Sequence, residues 1–477
     1  MVTMDENNNM TNNNSTSNNN NTSSIVVSSS KKNEFQSIFT IKNRKVWSNM
    51  EYWEQLCPMI SSSSQQEQEK EEQQQWEKDG EQKRQRLIED GYALVDTPFF
   101  HDNNNNNDDA IKKMVDQLAM CIQRLERDYG IPATFIFLYD AVWELIRNVV
   151  VPTMKLCTHS HNELNYDFLA WYIDPTQHMA GFSPHRDRQP DQISQSFHSN
   201  DGQAKYVTMW MALTHAHPEN SCLYMIPKQN DPGYMEGDDT TTNDDSNNNN
   251  QKDPLTRALN TKESYQNIRA IPRLPGQSVL FTHRIMHWGS RGNPHSSSSS
   301  IQPRIAISFV SSDSTFEKPY LKKNTTDTEY NPPFSIRLLL VCAQLLIYHE
   351  RFQLSKECIR ACHEYCKDYQ HLLEESYRKK VTIEFVKAMR EEEENSSDDD
   401  NDDAVLEEML NAETEGYGEF QDDYESDNNN SNDMNNDDNN DDDEFDDDNG
   451  EVSLFGGHIG DDDDDEPNNS NKRPKLP

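Results

Sequence analysis

Four polar residues, far apart in the chain, carry the side chains of a metal centre and a carboxylate clamp. His185 and Asp187 stand in Ser183-Pro184-His185-Arg186-Asp187-Arg188, and His287 in His283-Arg284-Ile285-Met286-His287-Trp288-Gly289. Arg304 opens the apolar run Arg304-Ile305-Ala306-Ile307-Ser308-Phe309. Two imidazoles and one carboxylate form the facial donor set of non-haem Fe(II) centres, leaving the opposite face of the ion open for a co-substrate and O2. The guanidinium of Arg304 has the planar fork that holds a carboxylate by two hydrogen bonds. His283 is the nearest rival to His287 as the distal ligand. Three donors and a water would also suit catalytic zinc, although a zinc hydrolase has no use for a carboxylate clamp.

The spacing dictates the elements that must hold these groups. Residues i and i+2 of an extended strand point to one side, so His185 and Asp187 can reach one ion from a strand or its end. The second histidine must come from a strand alongside. Short runs rich in aromatic and β-branched residues supply strands at Tyr166 to Ile173, Tyr206 to Leu213, Ser221 to Ile226, Ser278 to Thr282 and Ile305 to Val310. Such runs between turn signals suggest a jelly-roll barrel. Apolar residues at helical spacing mark helices over Asp108 to Asp128 and Asp140 to Val151. Leu338 to Phe352 forms a further stripe, with more helix from Lys356 onward.

From Tyr166 to Ser312 the chain resembles the phytanoyl-CoA dioxygenase family of Fe(II)/2-oxoglutarate oxygenases. Four blocks carry the resemblance: Gly181 to Asp187, Val207 to Thr214, Pro218 to Pro227, and Pro275 to Phe281 running on to His287, Asn293 and Arg304. Ile88 to Val95 is similar to the family's opening strand. The resemblance implies a mainly β core, a double-stranded β-helix (jelly-roll or cupin-like) barrel with packing helices. It implies Fe(2+) on His185, Asp187 and His287, 2-oxoglutarate as co-substrate with its far carboxylate on Arg304, and O2 as oxidant. The reaction would couple decarboxylation to succinate and CO2 with hydroxylation of a small organic or lipid-derived substrate. Phe182 matches a place where relatives put an aromatic beside the co-substrate. The family usually has a serine two places after the distal histidine; Gly289 stands there and Ser290 follows, so Ser290 is the expected co-substrate contact. The tract Ser296 to Ser300 lengthens the loop before Arg304.

Composition frames this core. The chain has 477 residues, a net charge of −40 and only 33% hydrophobic residues. Between Glu391 and Glu466 stand about 35 acids and no Lys or Arg, so the charge belongs to a block that self-repulsion keeps unfolded. The remainder is mildly acidic, which disfavours nucleic-acid binding by the core. The acidic tail suits basic protein partners such as histones, beside the plainer reading of a solvating tail. Expected boundaries are an Asn/Ser-rich tail at 1–32, an N-terminal extension and Gln/Glu-rich linker at 33–85, the dioxygenase domain at 86–318 with a low-complexity loop at 231–253, a helical segment at 319–390 and an acidic tail at 391–477. Phe35, Phe39, Trp47, Tyr52 and Trp53 give the extension enough apolar surface to pack.

The eight cysteines follow no disulfide-like spacing. Cys358, Cys362 and Cys366 read as helix core rather than zinc ligands, and His215 and His217 as loop residues. Trp210 and Asn220 read as structural. With no signal peptide, no membrane-length apolar run and no C-terminal Ser-Lys-Leu, the expectation is a cytoplasmic or nuclear protein, and Lys472-Arg473-Pro474-Lys475 resembles a short nuclear import signal. The alternative to an enzyme is a non-catalytic jelly-roll interaction module with an acidic tail.

Overall fold

A computed structural model describes residues 31–58, 70–96, 107–188, 193–237, 254–293, 302–322, 330–352 and 354–394. All of these lie in the first of two units, which divide after Glu425. The expectations for the Asn/Ser tail up to residue 30, for 238–253, for the acidic tail beyond 394 and for the basic Lys472 to Lys475 lie outside the described residues. Among the described residues no helix is long and apolar enough to cross a membrane.

Eight strands form two antiparallel sheets. They are β1 (Tyr92–Val95), β2 (Asn162–Ile173), β3 (Tyr206–Ala212), β4 (Leu223–Ile226), β5 (Arg269–Ile271), β6 (Ser278–Thr282), β7 (Met286–Gly289) and β8 (Arg304–Asp313). One sheet has the order β1-β6-β3-β8-β2 and the other β5-β4-β7. The central strands are apolar almost throughout because both faces are covered. Ile305, Ile307 and Phe309 of β8, Val207, Met209 and Met211 of β3, and Phe168, Ala170 and Tyr172 of β2 join one core with the helices. The alternate residues turn the other way, where Trp210, Val279, Phe281 and Ala306 meet Cys222 and, from the smaller sheet, Leu223, Met225 and Ile271. This period of two aims Arg304, Thr208 and Asp167 at the space between the sheets.

The helices are α1 (Lys70–Asp90), α2 (Asn107–Arg124), α3 (Asp140–Leu145), α4 (Val151–Cys157), α5 (Phe334–Ile347), α6 (His349–Phe352), α7 (Lys356–Tyr369) and α8 (Glu375–Glu394), with shorter ones between. Among the described residues helical positions outnumber strand positions, so the expected β core is the smaller part of the structure; the helices lie between Lys70 and Cys157 and from Phe334 onward, with shorter ones elsewhere. Phe35, Phe39, Trp47 and Trp53 are buried in the same core as the strands, and Trp47 lies 5.7 Å from Tyr365 of α7, ring to ring. Cys358, Cys362 and Cys366 are buried in that core too, as a four-residue spacing on one helix face requires. The two ends therefore cover the sheet together.

Register puts the ends of β8 at opposite ends of the sheet. Asn162 pairs with Asp313 and Ile173 with Arg304, with an irregularity between Leu164 and Phe168. Tyr166, inside that bulge, has φ +69°, a left-handed conformation that costs energy in a bulky residue. The Asn165 side chain accepts from Asp167 N–H at 2.8 Å, and the bulge re-aims Asp167 into the site.

Candidate metal and co-substrate site

The segment 181–188 runs antiparallel to β7. Gly289 N–H donates to Phe182 O at 3.0 Å, and His185 and His287 exchange backbone hydrogen bonds at 3.1 Å each. The exchange places the two imidazoles side by side, 4.3 Å between centroids. The backbones approach so closely that a Cβ on Gly181 would sit 2.6 Å from Gly289 Cα. A Cβ on Gly289 would in turn sit 2.8 Å from Gly181 Cα, so a glycine at each place permits the approach.

Alternation fixes the rest. His185 and Asp187 point inward, while Arg186 points away into a buried bidentate pair with Asp231 at 2.7 and 3.0 Å. Its side chain is fully buried, so the strip is anchored from behind. Arg188 binds Glu317 at 2.8 Å and lies 3.5 Å from Asp167. Asp167 and Glu317 both accept from Tyr320 OH at 2.9 Å, and Asp167 also accepts from Gln344 of α5 at 2.9 Å. Burial pushes the Asp167 carboxyl up from its ordinary range, against the pull of Arg188.

Tautomers follow from the hydrogen bonds. His185 Nδ1 lies 2.7 Å from Ser183 O and His287 Nδ1 lies 3.1 Å from Ile285 O. A carbonyl only accepts, so both protons sit on Nδ1 and both Nε2 lone pairs are free. Those Nε2 atoms lie 3.7 and 3.5 Å from Asp187 Oδ1. The other carboxylate oxygen, Oδ2, accepts from Thr208 Oγ1 at 2.6 Å. The distances are too long for hydrogen bonds. His185, Asp187 and His287 thus bring three donor atoms into reach of one ion.

The electrostatics agree. Burial, and then the neighbouring His287, push the His185 imidazolium down to about 3. Burial pushes Asp187 up, but His287, His185 and the Thr208 hydroxyl outweigh it and hold the carboxyl below its ordinary range. Neutral imidazoles and a carboxylate anion are the forms that bind a metal. His283 is buried and bonds Tyr206 O through Nδ1 at 3.1 Å; it is not in the converging set.

Arg304 and Phe182 line the same cavity as the three donors. Arg304 is buried, lies 5.6 Å over the Trp210 ring, and has no partner on Nε among the described residues. No carboxylate pairs with it among the described residues. Burial brings its guanidinium down to about 10, so it stays charged at neutral pH. Phe182 packs edge-on to Trp171 at 4.4 Å. Ser290 does not line the cavity, whereas Gly289 does; Ser290 Oγ lies 3.4 Å from Gly292 N.

The structure adds residues that the sequence did not single out. Tyr348, just after α5, lines the cavity, and Arg351 of α6 lies 3.4 Å over the Phe182 ring. The C-terminal helical segment therefore contributes to the wall of the site. The apolar stripe of α5 signalled a packed helix but gave no sign of what lies beyond its end. Asn220 is structural: it donates to His215 O and Gln302 O at 2.7 and 3.1 Å. His215 and His217 stand on that turn, 5.0 Å apart.

No curated protein matches the chain. Among solved structures it is similar to EvdMO1, at 17% identity over 48% of this chain and 49% of that one, with a TM-score of 0.34. It thus spans about half the length of EvdMO1. It is also similar to EctD from S. alaskensis with 2-oxoglutarate and 5-hydroxyectoine, at 12% identity over 50% and 77% of the two chains and a TM-score of 0.29. For HygX from Streptomyces hygroscopicus with nickel and 2-oxoglutarate, identity is 14% over 50% and 90%, with a TM-score of 0.31. Residues 140–299, which include His185, Asp187 and His287, match the phytanoyl-CoA dioxygenase (PhyH) family. That segment, about a third of the chain, carries the converging donors and is similar to the phytanoyl-CoA dioxygenase family.

Proposed function

We propose that this chain is an Fe(II)- and 2-oxoglutarate-dependent oxygenase that hydroxylates a small organic or lipid-derived molecule, on a double-stranded β-helix core. The observation that carries the reading is the pairing of two features in one cavity. One is a set of two imidazoles and a carboxylate; the other is a buried guanidinium without a carboxylate partner among the described residues. A buried unpaired cation is costly, and a dicarboxylic co-substrate reaching from the donors to Arg304 would relieve that cost.

His185, Asp187 and His287 would hold the iron, with Thr208 fixing the carboxylate so that Oδ1 faces it. Arg304 would take the far carboxylate of 2-oxoglutarate. When bound, iron with 2-oxoglutarate and O2 supplies the oxidising power that couples loss of CO2, leaving succinate, to hydroxylation of a C–H bond. Phe182 and Trp210 exclude water from the co-substrate pocket. Tyr348 and Arg351 stand where the substrate would enter.

Thermal melting with Mn(II), a redox-silent substitute for iron, tests the reading. A ligand at a hundred times its Kd stabilises by about 2.7 kcal/mol. Mn(II) and 2-oxoglutarate together should raise the Tm by several degrees, and Asp187→Ala should abolish the rise. No joint stabilisation of the wild-type protein, or an equal one in the variant, would refute the proposal.

A further inference from the structure

A second cluster of donors lies away from this cavity. One nitrogen from each of His159, His161 and His198 falls within 4.8 Å of the others. His159 and His161 sit in the turn before β2, and His198 in the loop before β3. That loop is closed by backbone bonds from His198 N to Gln203 O and from Gly202 N to His198 O, each 2.9 Å. The His159 and His198 rings are stacked at 3.5 Å.

We propose that these three histidines form a second metal site, which takes a divalent transition ion of the zinc type and ties the start of β2 to the loop before β3. Three imidazoles suit such an ion. Oxygens of Asp201, Asp313 and Asn162 surround them, near enough to close in as the outer partners that orient metal-bound imidazoles. His159 Nε2 lies 3.6 Å from Asp201, His161 Nδ1 lies 3.7 Å from Asp313 Oδ2, and His198 Nε2 lies 3.8 Å from that same oxygen. His198 Nε2 also lies 3.4 Å from Asn162 Oδ1. Asp313 repeats the device seen at Asp187. Its Oδ1 accepts from the Thr315 N–H and hydroxyl, both at 2.7 Å, and Oδ2 is left to face two imidazoles. One contact competes: His161 N–H donates to His159 Nδ1 at 3.2 Å, and is given up if that nitrogen is the ligand. The His161 side chain is 72% exposed, so an ion has a path in from solvent.

The site is distinct from the first. Asp313 stands at the opposite end of β8 from Arg304, about 30 Å along the strand at 3.3 Å per residue.

The test is Zn(II) stoichiometry on the full chain, against a chromophoric chelator of micromolar affinity that outcompetes weak carboxylate sites. Wild type should hold two equivalents, Asp187→Ala and His161→Ala one each, and the double variant none. His161 is exposed, so its loss leaves the packing intact; an unchanged circular dichroism spectrum verifies this. Co(II) bound to Asp187→Ala should show d–d bands that are absent when His161→Ala is added. An Asp187→Ala protein that binds no ion, or one whose ion survives His161→Ala, would overturn the proposal. Neither result bears on the first site, which the His161→Ala variant reads separately.

Discussion

Asp187 divides two tasks between its oxygens. Oδ2 accepts from Thr208 at 2.6 Å and Oδ1 faces the two histidines, so the rotamer is set before any ion arrives. Removing such an outer partner costs a metal site about 10–100-fold in affinity. Thr208→Val keeps the shape and deletes the hydroxyl, so Mn(II) affinity should fall within that range, as measured by isothermal titration. Unchanged affinity would mean that the hydroxyl does not set the carboxylate. Of the residues in this site, His185 and Asp187 were legible because strand alternation and a His-x-Asp spacing constrain them together, whereas His287 stood out from its rival His283 only through the family resemblance. Tyr348 and Arg351 were not, because nothing local in a helix stripe tells which cavity its end will reach.

At the scale of elements, the approach of 181–188 to β7 makes the site. A Cβ on Gly289 would lie 2.8 Å from Gly181 Cα and 3.5 Å from Arg304 Nη2. Gly289→Ser, which restores the family's usual residue, should therefore part the strip from the strand. Overpacking of this kind costs about 1–3 kcal/mol, and urea unfolding should show a loss of that order together with weaker metal binding. The longer strands were readable from their apolar runs: the expected Ser278 to Thr282 is β6, and Tyr206 to Leu213 is β3 extended by one residue. The three residues of β5 and the four of β7 are too short and too mixed to show a period, and become strands through pairing, β5 with β4 and β7 with β4 and the 181–188 segment.

At the scale of the molecule, the N-terminal segment and the C-terminal helices close over one face of the sheet. One consequence is a pH-dependent stability. Glu126 follows α2, accepts from Ala133 N–H at 2.8 Å, and is pushed up to about 7 by burial, with Lys32 of the N-terminal segment opposing the shift. An unfolded glutamate titrates near 4.3, so between those values the folded state holds more protons than the unfolded one. Stability is then lost as pH rises from about 4.5 to 7 and stays lower above that. Glu126→Gln keeps the acceptor and removes the charge. It should stabilise the protein at pH 8 by about 1–3 kcal/mol, with little effect at pH 4.5; equal effects at both would contradict the assignment. The aromatic cluster at Phe35 to Trp53 announced a packed segment, but its sharing a core with α7 is a long-range contact that local pattern does not encode.

The proposed function requires one cavity that joins a facial metal site to a carboxylate clamp at Arg304. Anaerobic titration of the Fe(II) protein with 2-oxoglutarate measures that junction through the visible charge-transfer band of the chelate. Removing one partner of a buried charge pair costs about 2–5 kcal/mol. The wild-type protein should develop the band, and Arg304→Ala should need at least about 30-fold more 2-oxoglutarate to reach it. Iron bound without any band, or a band that Arg304→Ala leaves unchanged, would rule out a 2-oxoglutarate site at Arg304.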